Sequence, residues 1–460
     1  MRPKPPAQSD DQCDLFRSEL IQMINPQHEL VQLSHRIHWK KLDQAFGEYY
    51  VETVGSPGKP TRLMAGLQYL KYLYNLSDEE LVQRWLENPY MQYFCGEKYF
   101  QHGFPIHATS MTKWRQRVGE EGMEMLLSVT VETGLDCQVV KQTSFEKVNV
   151  DTTVQEKAVA YPTDAKWLNR MRAELVKRCD YAGIELRQRY PRVAKRLLWL
   201  ASRYFHARQT KRAKREVKKL RTILGRVMRD IRRQIAGDES RTEYFQEPLA
   251  LAERLLHQKR EDSNKIYSIH APEVECIAKG KVHKKYEFGN KVGLVTTSRE
   301  GFVIGAQGFH GNTYDGHTLK ASLKQAGKII KKILCGDVFV DKGYRGHDYD
   351  GPAEVHVAGT KKLSSAMKKW MRRRSAIEAT IGHLKQSSRL DRNYLKGKIG
   401  DCINPILSAC GWNLHLILAA LRKRRAFFGL FQSIRRWIMG DGTAYDISDQ
   451  TYIPNMACAN

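Results

Sequence analysis

Three acids stand where the patterning around them makes a charge awkward. Asp151 closes the alternating run of Val148 and Val150 in "VNVDTTV", and Asp341 closes "VFVD" before Lys342-Gly343-Tyr344. Glu378 falls in the basic stretch "SSAMKKWMRRRSAIEATIGHLKQSS" (364–388). An acid at the end of a buried strand is costly unless something pairs with it. A metal ion answers for two such acids on neighbouring strands, with a third supplied by an adjacent helix. Magnesium takes a few carboxylates together with water and phosphate oxygens. Two such ions would activate an attacking oxygen and stabilise a leaving one in phosphodiester cleavage. On a helix turning about 100° per residue, Arg374 lies about 40° from Glu378 and Lys385 about 20° on its other side. An acid flanked by two phosphate-gripping cations suits a nuclease or strand transferase. The plain alternative is an exposed helix with an i,i+4 ion pair, and it loses ground because two strand-end aspartates precede it.

Other acids and histidines lie close to these motifs. Asp337 begins its strand and so belongs at the opposite sheet edge, while Glu156 and Asp164 read as surface acids before they read as supports. Asp348 and Asp350 follow the second aspartate, and His310 and His317 flank "GNTYDG" without a catalytic assignment.

The elements that must position the acids alternate in character. Residues 1–25 are a polar, Pro-rich lead, and 26–140 are helical, with Ser77 and Glu80 as a capping box and Pro89 closing that helix. Ser110 is the expected cap of a helix bearing Trp114, Arg115 and Arg117, which is equally consistent with a helix-turn-helix DNA reader and with a plain bundle. Strand text begins at 146, and a long helical interruption spans 164–263. Within it Val217, Leu220, Leu224, Val227 and Ile231 form a coiled-coil-like seam. Eleven Lys or Arg lie in 211–233, among them Lys214, Arg215, Lys218 and Lys219. They suit either a DNA-backbone clamp or a solvated face, and the basic balance of the whole chain tilts toward the clamp. Strand, hairpin (turn "SREG"), helix, strand and basic helix then fill 264–425, and 426–460 read as an appended amphipathic helix and tail. The fold class is therefore α/β, with a helical N-terminal domain and a core in two pieces, 141–163 and 264–425.

Composition narrows the partner. The 460 residues carry 76 Lys+Arg against 50 Asp+Glu, a formal charge of +26 that calls for a polyanion. The most apolar stretch, 403–421, is broken by Pro405, Asn413 and His415, which argues against a membrane span, and no apolar signal core opens the chain. Nine cysteines without CxxC spacing suggest reduced thiols in a cytoplasmic protein and no zinc module.

The order of these parts resembles the DDE transposases of bacterial insertion sequences, within them the insertion-sequence-five family. Asp151 in "VDTT", Asp341 in "DKGY" and Arg374, Glu378 and Lys385 in "RSAIEATIGHLK" carry the likeness. The segment 66–96 resembles that family's N-terminal domain, and "HGNTYDGHTL" and "WNLHLIL" resemble its core. The family's glutamate segment places a tyrosine where this chain has Met371, so its arginine and lysine phosphate contacts carry over but the tyrosine contact does not. The resemblance implies an RNase H-like core, two magnesium ions (manganese as a substitute) held by Asp151, Asp341 and Glu378, and hydrolysis at element ends. The freed 3′-hydroxyl would then attack target DNA. It implies double-stranded terminal repeats and target DNA as partners, a homodimer that brings two ends together, and a nucleoid-associated location. Tyr344, Arg345, Arg372 and Arg373 complete the expected DNA contacts. A nuclease without strand transfer and a non-catalytic DNA-binding derivative are the alternatives.

Overall fold

Apolar spacings of three and four wind the first third of the chain into helices. The computed structural model describes residues 18–50, 58–259, 261–262, 265–278, 285–360 and 364–439, with side chains to Phe427. The first helices are α1 (Leu20–Met23), α2 (Glu29–Arg36), α3 (Trp39–Gly47), α4 (Thr61–Leu73), α5 (Asp78–Glu87), α6 (Pro89–Phe94) and α7 (Ala108–Asp136). Leu20 is buried and its N–H donates to the Lys98 carbonyl, so the packed chain starts before residue 26; residues 1–17 lie outside the described residues. Ser77 and Glu80 close the capping box of α5, and Pro89 opens α6 as α5 ends. At a first helical position the missing N–H of proline leaves nothing unsatisfied. His107, not Ser110, caps α7, and Gly119 (φ 65°) breaks that helix in a conformation side chains disfavour.

Among the described residues seven strands form one sheet: β1 (Lys147–Lys157), β2 (Glu275–Ala278), β3 (Tyr286–Thr297), β4 (Val303–Phe309), β5 (Asp337–Val340), β6 (Glu354–Val357) and β7 (Arg392–Asn393). β3 runs antiparallel to β1 and to both β2 and β4, while β5 and β7 lie parallel to β1 and β6 parallel to β5. "VFVD" is therefore not the last strand. "EVHV" of β6 hides its strand character because Glu354 and His356 interrupt any apolar run.

The helices α8 (Asp164–Tyr181), α9 (Pro191–His206), α10 (Thr210–Ile235) and α11 (Glu239–His257) fall between β1 and β2 and build their own core. The seam on α10 is buried among Leu168, Met171 and Leu175 of α8 and Phe245 and Ala252 of α11. Its apolar stripe is thus satisfied within one chain.

The remaining helices are α12 (Asp315–Ile330), α13 (Ser365–Arg373), α14 (Ala376–Ser387) and α15 (Gly397–Met439). The basic stretch 364–388 is two helices, because at Arg374 and Ser375 the hydrogen bonds shorten to i→i−3, from Ile377 N–H to the Arg374 carbonyl and from Glu378 N–H to the Ser375 carbonyl. α15 crosses residue 426 without a break, so no separate helix is appended there; residues 440–460 lie outside the described residues. Its segment Gly397–Phe427 is long and apolar enough to cross a membrane but is mostly buried in the protein. Asn413 on α15 accepts from the Val303 N–H (2.9 Å) and donates to the Val303 carbonyl (2.8 Å), fixing α15 on the edge of β4.

Candidate active site

Strand register brings two of the acids together. β1 and β5 pair from Lys147 with Asp337 to Asn149 with Phe339, and the same offset carries Asp151 onto Asp341. Asp151 is not at the end of its strand. β1 continues to Lys157 because β3 accompanies it as far as Glu156, whereas β5 stops at Val340. Asp151 thus stands where parallel pairing ends, and Asp341 caps the next turn by accepting from the Gly343 N–H at 2.7 Å. A Cβ at Gly343 would come within 2.9 Å of Asp341 Oδ1 and 3.3 Å of Asp315 Oδ2, so a larger residue there would push on both carboxylates.

Arg374 joins the third acid to this pair. Its guanidinium lies 3.7 Å from Asp151 Oδ2 and 3.5 Å from Glu378 Oε1. The turn between α13 and α14 leaves the i,i+4 relation intact because Arg374 and Ser375 both keep right-handed helical dihedrals. Lys385 lies in the last turn of α14, in a depression of about 490 Å³ with Asn75, Arg389 and Arg392.

Burial pushes the Asp151 carboxyl up to about 6; the Thr152 N–H opposes this, the Asp341 charge adds to it, Arg374 opposes it and Glu378 adds to it. The charges of Asp341 and Glu378 both act on Asp151, and carboxylate oxygens are the hard donors magnesium prefers. Asp151, Asp341 and Glu378 could therefore hold the ion. A carboxyl raised on folding favours stability below its unfolded value near 4, and that contribution is lost as pH rises through about 6. Asp151→Asn is accordingly expected to raise stability at pH 7.5 by about 1–3 kcal/mol, since each tenfold change in proton affinity is worth about 1.4 kcal/mol. Magnesium is expected to raise the melting temperature of the parent at pH 7.5 and much less at pH 5. Thermal melts at the two pH values test both, and equal rises at the two would remove Asp151 from the ligand set.

A fourth acid completes the wall. Asp315, first residue of α12, accepts from Thr152 Oγ1 at 2.8 Å and from Lys291 Nζ at 2.9 Å. Lys291 is tied in turn to the Thr313 carbonyl at 2.6 Å. Asp315 lies inside "HGNTYDGHTL" but reads as an ordinary acidic helix start, and its link to Thr152 spans 163 residues. Removal of an outer-shell partner typically costs 10–100-fold. Asp315→Ala is expected to lower metal-dependent turnover by roughly that factor, and Lys291→Met by less, as read from single-turnover rates.

Several expected contacts lie elsewhere. Tyr344 is fully buried beneath the acids and cannot reach DNA; burial and the charges of Asp151 and Asp315 hold its phenol well above the ordinary range. Arg115 is also buried, with two N–H groups on Asp78 (3.2 and 2.7 Å) and one on Gln68, which makes it a core ion-pair residue. Trp114 is buried beside it, so this face of α7 is bundle interior. Arg117 is exposed over the Tyr50 ring, and Arg345 and Arg372 are exposed. Arg373 is exposed but donates to the Arg299 carbonyl, tying α13 to the β3–β4 turn. Lys214, Arg215, Lys218 and Lys219 all lie on the outer face of α10, the last paired with Glu216 at 3.0 Å.

The competing groups are engaged away from the three acids. Asp337 holds Lys147 (2.6 Å) and His356 (2.9 Å) at the far end of β5, and His310 lies 3.9 Å from Asp401. His317 pairs with Asp348, Lys320 with Asp350, and Asp164 lies 3.7 Å from Arg221. Glu156 faces Gly289 across the sheet.

Residues 18–117 match a family described as "Transposase domain (DUF772)". The chain is 51% identical over 209 residues to the "Uncharacterized protein ORF8 in nfe locus" of Rhizobium meliloti, covering 45% of this chain and the whole of that protein. No solved structure matches the chain.

Proposed function

The chain belongs to a transposase-related family, and we propose from that premise that it is a DDE transposase of the insertion-sequence-five kind. The observation that carries this reading is the strand register that sets Asp151 beside Asp341, with Arg374 linking Asp151 to Glu378. The strand order supports an RNase H-like core, with antiparallel β4, β3 and β1 followed by β5 and β6 parallel to β1.

Asp151, Asp341 and Glu378 would hold the divalent ions. When bound, magnesium supplies activation of the attacking oxygen and charge stabilisation of the leaving one. The protein's own groups set the geometry. Asp151 and Asp341 stand side by side where the β1–β5 pairing ends, and Glu378 comes from α14, linked to Asp151 through Arg374. Arg374 presents a planar fork that can pass from the carboxylates to a phosphate oxygen. Water cleaves the phosphodiester at the element end, and the departing 3′-oxygen takes a proton to become a hydroxyl. That hydroxyl then attacks a target phosphodiester and releases one target 3′-oxygen, so one bond forms as one breaks. Duplex element ends and target DNA are the partners, and a homodimer joins two ends in the cytoplasm, at the nucleoid.

The test incubates the protein with its flanking element ends and magnesium and maps the cut strands. A supercoiled plasmid in the same reaction reports strand transfer. Nicked ends without plasmid insertion would leave a nuclease, and uncut ends would remove the catalytic reading.

A further inference from the structure

The helices between β1 and β2 concentrate charge. Residues 164–257 hold 25 Lys+Arg against 11 Asp+Glu, a net +14 out of +26 for the whole chain. Most of it lies on α10 opposite the buried seam. At about 100° per residue, Lys211, Arg215, Lys219, Arg226, Arg229 and Arg233 fall within a sector of about 80°. At about 1.5 Å per residue this stripe is roughly 33 Å long. One turn of duplex DNA has about that length, with a backbone charge every 3.4 Å or so along each strand.

The C-terminal part of the stripe is shaped as well as charged. Arg226, Arg229 and Arg233 share a cleft of about 490 Å³ with Arg187 and Tyr190 from the connection before α9. The acid lining it is Asp230, which is buried and accepts from the Arg187 N–H at 2.8 Å. Asp230 also lies 3.9 Å from the Arg187 guanidinium and 3.7 Å from that of Arg233. One carboxylate therefore fixes the connection against α10 and steadies two of four guanidinium groups. Three positive charges remain in excess in a cleft open to solvent, and guanidinium forks match phosphate oxygens in pairs.

We infer that the cleft of Arg187, Arg226, Arg229 and Arg233 is a phosphate-binding site. It grips the backbone of duplex DNA without reading sequence, and Arg215 and Lys219 continue the contact along α10. The inference rests on the transposase reading for its choice of duplex DNA. It assigns the inserted helices the role of an anchor separate from the cutting acids.

The experiment measures binding of full-length protein carrying Asp341→Asn, which keeps the DNA intact. Fluorescence anisotropy follows a 30-base-pair duplex, with and without element ends, across a salt series. Each lost phosphate contact lowers the slope of log K against log salt by about 0.9. Arg226→Gln/Arg229→Gln/Arg233→Gln is expected to lower it by about 2.7 on both duplexes, with Arg→Lys at the three positions restoring most of the slope. Arg170→Gln/Lys177→Gln/Arg241→Gln, exposed residues of the same helices off the stripe, is expected to change it by less than about one. Equal losses in both triples, or none in the first, would overturn the site. So would a loss confined to duplexes bearing element ends. Failure of end cleavage by the parent protein would remove the transposase reading and leave this slope difference standing.

Discussion

Asp341→Asn is expected to lower end cleavage at least about 10³-fold, as removal of one member of a catalytic group typically does. It should leave the affinity for end DNA within about threefold, because cationic phosphate contacts carry that affinity. The substitution is chosen for what it preserves. Asp341 Oδ1 accepts the Gly343 N–H at 2.7 Å, and an asparagine oxygen can keep that bond and hold the turn. What it removes is the charge. Paired measurements of cleavage rate and DNA affinity with folded variant check the result. Near-parental cleavage would dismiss Asp341 from the chemistry, whereas a fall in affinity matching the fall in rate would assign it to binding.

Arg115→Ala carries the largest expected effect on stability, a loss of about 3–5 kcal/mol, typical of breaking a buried ion pair from one side. Arg115 and Lys71 are both buried and both meet Asp78. Burial pushes the Asp78 carboxyl up, but the Arg115 hydrogen bonds and the two positive charges outweigh it and hold it at about 2. Burial, with Arg115 next to it, also pulls the Lys71 ammonium down to about 8. A depressed carboxyl contributes stability above its unfolded value near 4, and that share disappears as pH falls through about 2. Urea denaturation should therefore show a parent that weakens between pH 4 and 2 and a variant that has already lost this share at neutral pH. The slope of DNA affinity against salt should match the parent's. A lower slope with unchanged stability would return Arg115 to the DNA surface.

These two residues mark how far the text of the chain can be read. Asp341 was legible because its signal is local: an apolar run that ends in an acid before a glycine turn needs no partner to look unusual. Arg115 misled because an arginine on a helix beside other polar residues carries the same local text whether it faces solvent or a half-buried aspartate 37 positions earlier. Tyr344 failed for a related reason. A tyrosine next to a metal-type acid suits a ligand contact, yet the turn at Gly343 rotates its ring into the core.

By itself the sequence determined the alternation of helical and strand segments and the local setting of the three acids, since each depends on residue type and short-range period. Tertiary structure alone decided that Asp151 stands mid-strand beside Asp341, that Arg374 couples Asp151 to Glu378, and that Thr152 and Lys291 hold Asp315 behind them. Those relations cross 24 to 227 positions of chain. Hydrogen-bond register and the packing of α12 and α14 against the sheet create them, and neither leaves a mark in the local order of residues.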